Sequence, residues 1–263
     1  MEDKTQSLDP IEIHYVNAST MPKTNKNHIR LYGHYLCPFV EKVRLVLHAK
    51  GIEYQDCQVN LERRNKWHYQ LNGGFVPILE LPSGQVILES DIIMNYIDFA
   101  YPEKKPLWSS DPAQRARQQM AMKTFDKVQA QMFAVLISHA RLEKAVTDIK
   151  EGFASLEKLL QESSSKFFCG EKSYSMVDLY GFPHVSRLFY LQGTPLEQVS
   201  EEVLNLRKGF PLVTAWFNAM KSAPELNTGA AIIDERYFKK WVDELLTVPL
   251  GTKPPLRLPL PRL

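Results

Sequence analysis

Cysteine is scarce in this chain: three residues, Cys37, Cys57 and Cys169, in 263. Three scattered thiols cannot build a disulfide framework, so a reducing, cytoplasmic compartment is the expectation. Long apolar runs are missing as well, and nothing approaches the roughly 18 residues that a membrane helix needs. The N-terminal stretch MEDKTQSLDPIEIHYV lacks the basic-then-apolar order of an export signal, so no membrane partner is expected. Excess charge of one sign is also lacking. Lys and Arg number 32 against 30 Asp and Glu, a net charge of +2, which does not suit a nucleic-acid scaffold. Residues 247–263 hold Lys253, Arg257 and Arg262 and no acid, which leaves the remaining chain at −1. The basic surplus therefore belongs to a Pro-rich tail. The seven histidines show no metal-ligand spacing, and no phosphate-binding or dinucleotide glycine pattern occurs. Neither a metal nor a permanently bound cofactor is expected.

What is present is a well-marked succession of elements. Residues 1–27 are polar and aperiodic and read as an irregular extension. His28 to Tyr32 alternates as a strand. Pro38 suits the first turn of a helix, whose apolar positions Phe39, Val43, Val46 and Leu47 run to a stop at Gly51. Cys57, Val59 and Leu61 alternate again, and a short amphipathic piece from Trp67 to Leu71 ends at Gly73-Gly74. Phe75 to Leu81 and Val86 to Leu88 read as a hairpin around the turn Pro82-Ser83-Gly84-Gln85. Ser90-Asp91 then opens another helix. Strand, helix, strand, short helix, hairpin and helix give an α/β, thioredoxin-like domain with a four-stranded mixed sheet over 28–104. A linker follows at 105–111. Asp111-Pro112 has the N-cap and N1 order of a helix start, and 112–246 reads as an all-α helical-bundle domain. Within it, Ser175-Met176-Val177-Asp178 resembles a capping box. The tail 247–263 is too rich in proline for a helix.

Chemistry concentrates in the first domain. Cys37 falls between the first strand and the first helix, where unpaired N–H groups and the helix dipole are expected to stabilise a thiolate and lower its pKa. The segment is Cys-Pro-Phe-Val, so no second thiol stands within the motif, and a redox cycle must borrow one from outside. Val76-Pro77 stands at the start of a strand, the place of a cis proline in thioredoxin-like folds. Glu89-Ser90 opens a helix, where free N–H groups suit a carboxylate and Glu89 suits an amine. Tyr32 and Tyr35 flank the cysteine loop, with packing their commoner work. Arg63, Arg64 and Lys66 make a small cationic group nearby.

The segments YLCPFVEKVRLVLHAKGI, GFVPILE, LESDIIMNYID, YSMVDL and FPLVTAWFNAM, in this order, resemble glutathione transferases over roughly residues 28–245, and the Cys-Pro-Phe motif resembles that of the omega class. The resemblance implies a glutathione-binding domain followed by a helical domain that walls the second substrate. It makes Cys37 the nucleophile that forms a mixed disulfide with glutathione, and places Phe39 in the pocket of that sulfur. It assigns Val76, ahead of Pro77, to the backbone that pairs with the cysteinyl unit, and Glu89 and Ser90 to the γ-glutamyl unit. Arg64 falls where the family has a Lys near the glycyl carboxylate, with charge kept and geometry changed. Leu36 stands where an aromatic residue is common. Phe182, Arg187 and Tyr237 fall near positions of the second-substrate wall.

The activities implied are thioltransferase and dehydroascorbate reductase, with glutathione as co-substrate, a small oxidised or electrophilic second substrate, and a homodimer as the assembly. Two other readings share the fold: a chloride intracellular channel-like protein, and a non-catalytic transferase-like structural protein. Leu88-Glu89-Ser90 fits the first poorly, and Cys37 together with Glu89-Ser90 argues against the second.

Overall fold

The computed structural model describes residues 14–15, 20–61, 64–137, 142–197, 205, 207–228 and 231–246. The tail and most of the N-terminal extension lie outside them. Its first part is a mixed sheet of β1 (His14–Tyr15), β2 (Ile29–Gly33), β3 (Tyr54–Gln58), β4 (Ile78–Glu80) and β5 (Val86–Leu88), in the order β1-β3-β2-β4-β5. The four expected strands are joined at one edge by β1, parallel to β3 with His14 opposite Cys57. This corrects the reading of 1–27 as wholly irregular. Two residues are too few to show an alternation, so β1 left no periodic mark.

The alternation of β2 decides what covers each face of the sheet. Ile29 and Leu31 point into the main core with α1 (Pro38–Ala49) and α3 (Ser90–Ala100). Tyr32 points the other way, onto Trp67 of α2 (Lys66–Asn72), with ring centroids 5.3 Å apart. Alternate side chains thus hold helices on both faces. Gly73, at φ 55°, closes α2 in the left-handed conformation that glycine adopts without strain.

The second part is helical: α4 (Pro112–Ile137), α5 (Leu142–Gln161), α6 (Met176–Phe189), α7 (Pro211–Lys221) and α8 (Glu235–Leu246), with 3₁₀ turns at Phe168–Gly170 and Pro224–Leu226. Every residue of α6 is buried, so it is the central rod around which the others pack. Gly181 lets α4 approach it, because a Cβ there would lie 2.1 Å from the Phe125 ring. The Ser175–Asp178 capping box is formed. α1 touches α6 directly, and one hydrophobic core runs from Ile29 of the sheet to Trp241 of α8. Among the described residues, no helix is long and apolar enough to cross a membrane.

Candidate active site

The sheet register gathers the expected site residues at one edge. Tyr32, near the C-terminal end of β2, is opposite Ile78, which begins β4, and Ile78 is opposite Leu88, which ends β5. The Cys37 loop leaves β2, Val76-Pro77 enters β4 and Glu89-Ser90 leaves β5, so all three stand at the same end of the sheet. β3 runs parallel to β2 and delivers the segment toward Arg64 to that end too.

Each segment has a distinct local form. Cys37 is the N-cap of α1, with Pro38 at N1. The Val76-Pro77 bond is cis. Glu89 caps α3 at φ 65°, a positive value for a residue with a side chain, which costs about 1–3 kcal/mol. Ser90, the first residue of α3, is buried. The Arg64 guanidinium lies 5.9 Å from the ring centroids of both Tyr69 and Phe75, and its stem packs on Gly74. Gly74 and Phe75 lead directly into Val76 in the chain. Phe39 stacks edge-on with His184 of α6 at 5.3 Å. Arg63 lies outside the described residues.

The charge state of Cys37 departs from the sequence expectation. The sulfur accepts no cap hydrogen bond of full geometry, although the N–H groups of Phe39 and Val40 favour its anion, as do the Arg187 and Arg44 charges. Burial outweighs these influences and pushes the thiol above its ordinary value. The helix N-terminus was legible from spacing, and the packing of a second domain over it was not.

The tyrosines beside the loop are engaged in structure. The Tyr32 hydroxyl donates to Glu80 at 3.0 Å and accepts from Arg30 at 2.9 Å. The Tyr35 hydroxyl accepts from the Asp234 N–H at 3.0 Å.

The three expected wall residues separate. Tyr237 is half-buried and stands edge-on to Tyr35 at 6.2 Å, beside the cysteine loop. Phe182 is sealed among Trp216 and Phe217 with no exposed surface, so it builds core and not wall. Arg187 is buried too, and its guanidinium is spent on protein partners: Glu41 at 2.6 Å and the carbonyls of Leu36 and Pro183. Both corrections have one cause. All faces of α6 are covered, so position along it says nothing of access.

Two residues absent from the sequence reading stand close to the site. Arg44 of α1 donates to the Tyr35 carbonyl at 2.8 Å. Lys42 is buried between Gln129, at 2.7 Å, and the face of the Tyr180 ring, at 3.4 Å. Burial pulls its ammonium down to about 7. Their signal in sequence is a charge at an apolar-phase position of a helix. No group of three or more His, Cys, Asp or Glu placed to hold a metal occurs among the described residues.

The comparisons with known proteins match both parts of the chain. The family described as "Glutathione S-transferase, N-terminal domain" matches residues 31–105, and "Glutathione S-transferase, C-terminal domain" matches 139–219. The chain is 32% identical to glutathione S-transferase omega-1 of Mus musculus over 221 residues, 82% of this chain and 85% of that protein. It is 31% identical to glutathione S-transferase omega-2 of Homo sapiens over 220 residues, 82% of this chain and 84% of that protein. The crystal structure of glutathione transferase Omega 3C from Trametes versicolor superposes with a TM-score of 0.68 at 22% identity, over 85% of this chain and 92% of that one.

Proposed function

Because this chain belongs to the omega-class glutathione transferases, we propose that it works as a glutathione-dependent thiol oxidoreductase with Cys37 as its one nucleophile. The observation that carries this reading is the convergence of Cys37, Val76-Pro77 and Glu89-Ser90 on one end of the sheet. A γ-glutamyl carboxylate is stabilised at the start of α3 by N–H groups and the Ser90 hydroxyl. Glu89 takes the amine, Val76 pairs with the cysteinyl backbone, and Arg64 takes the glycyl carboxylate. The tripeptide sulfur then points to Cys37 beside Phe39. Residues 28–104 make the glutathione-binding domain.

Two exchanges complete the cycle. The Cys37 thiolate attacks the glutathionyl sulfur of a mixed disulfide. The old S–S bond breaks, the substrate leaves as a thiolate and takes a proton, and Cys37 becomes S-glutathionylated. A second glutathione thiolate attacks that adduct, giving oxidised glutathione and free Cys37. With dehydroascorbate, two glutathione molecules supply the two electrons and two protons. The raised thiol leaves little anion at neutral pH, and each anion formed is a stronger nucleophile for it. Tyr237 supports the second-substrate side.

A homodimer in the cytoplasm is part of the reading. Ile92 and Phe99 on one side of α3 and Met120 on α4 are large apolar side chains left in solvent, Phe99 being 85% exposed, which supports burial against a second copy. The test of function is a panel with glutathione as reductant: a small mixed disulfide, dehydroascorbate and a halogenated nitrobenzene. Reduction of the first two should dominate. A profile dominated by conjugation overturns the proposal.

A further inference from the structure

The loop that ends at Cys37 is held by two buried arginines from opposite parts of the chain. Arg44 of α1 donates to the Tyr35 carbonyl at 2.8 Å, and Arg187 of α6 donates to the next carbonyl, that of Leu36, at 2.9 Å. Arg187 divides its fork, because its other terminal nitrogen donates to Glu41 Oε2 at 2.6 Å. The second oxygen of Glu41 accepts from the Ile233 N–H at 3.3 Å, and the Tyr35 hydroxyl accepts from the Asp234 N–H. One loop, one carboxylate on α1, α6 and the segment before α8 thus form a single network. Arg187 and Glu41 are each at most 1% exposed.

We propose that Arg187 and Arg44 are positioning residues for Cys37, which clamp the carbonyls of Leu36 and Tyr35 so that docking of the helical domain sets the direction and charge environment of the thiol. The inference rests on the reading of Cys37 as nucleophile. A planar guanidinium can grip a carboxylate and a carbonyl in fixed directions at once, which an ammonium cannot. Two buried cations beside the loop also oppose the desolvation of a developing thiolate, and both favour the Cys37 anion. The groups facing the loop are Glu41, Lys42 and Arg44 from α1, His184 and Arg187 from α6, and Asp234 ahead of α8. His34, within the loop, accepts the Leu36 N–H.

The test is the rate of Cys37 alkylation by iodoacetamide from pH 6 to 10, read on the Cys37 peptide by mass spectrometry in the intact folded protein. In R187Q the rate at neutral pH should fall by about threefold to tenfold, with the profile displaced to higher pH. R187K should recover the alkylation rate to within about twofold, while kcat/KM for mixed-disulfide reduction stays about tenfold down, because charge is restored without the fork. If R187Q does not fold, E41Q/R187Q leaves no buried carboxylate unpaired and is compared with E41Q, so that only the Arg187 charge differs. A folded R187Q that alkylates with the wild-type rate and pH profile, or an E41Q/R187Q that alkylates with those of E41Q, overturns the proposal, whatever its stability. Alkylation is read without turnover. Failure of Cys37 as nucleophile would appear separately, as activity that survives C37A.

Discussion

Asp178 receives the indole N–H of Trp216 at 2.8 Å, which ties the start of α6 to the middle of α7. Its carboxylate also accepts the N–H of Phe168, at 3.2 Å, and the N–H and hydroxyl of Ser175, at 2.8 and 2.9 Å. D178A leaves these buried donors unpaired and should lower unfolding free energy by about 3 kcal/mol or more. Urea titration followed by tryptophan fluorescence measures it. A loss below about 1 kcal/mol would show that the site repacks.

The same carboxyl gives a pH signature. Burial outweighs its hydrogen bonds and pushes its pKa up from 3.8 to about 6. Between those values the folded chain keeps a proton that the unfolded chain has lost, so the Asp178 contribution to stability falls as pH rises through this window and is flat above it. D178N removes the titration. The stability gap between wild type and D178N should therefore narrow from pH 4 to pH 6, and a gap that widens contradicts the account.

Gly181 is needed for the approach of α4 to α6. G181A places a methyl 2.1 Å from the Phe125 ring. Overpacking of this kind costs about 1–3 kcal/mol, more than the roughly 1 kcal/mol of helix propensity that alanine restores. Thermal unfolding should show a lower midpoint. A higher one would mean that Phe125 moves aside freely.

Ser90 separates binding from chemistry. S90A should raise KM for glutathione by about tenfold, equivalent to one lost charge-assisted hydrogen bond, with kcat within about twofold. An unchanged KM would leave Ser90 as a helix-start residue alone.

Much of this was legible in the sequence because it is local. The alternation in β2, Pro38 after Cys37, the turn before β5 and the Ser175–Asp178 box each depend on neighbours within a few residues. What was not legible is remote. Arg187 meets Glu41 across 146 positions, so its spacing could not distinguish a ligand-facing arginine from a clamp. Phe182 lies on a helix buried all round, where the usual contrast between polar and apolar faces vanishes. The thiol of Cys37 was placed correctly at a helix N-terminus, yet its net displacement is upward, because desolvation is a property of the packed domains.

That displacement has a direct consequence. Alkylation of Cys37 in the unliganded protein should keep accelerating as pH rises through and beyond the ordinary thiol range of about 8.5, since the raised thiol still yields new anion there. A rate that levels off near neutral pH would contradict the dominance of burial.

The central claim is that Cys37 exchanges its own sulfur with glutathione. The measurement is steady-state reduction of a small glutathione mixed disulfide by wild type and C37A, with intact-mass analysis of the enzyme after the disulfide is added without free glutathione. Wild type should gain one glutathionyl group on the Cys37 peptide and turn over. C37A should gain none there and lose activity by at least about a thousandfold. Reduction by C37A at the wild-type rate would contradict the account.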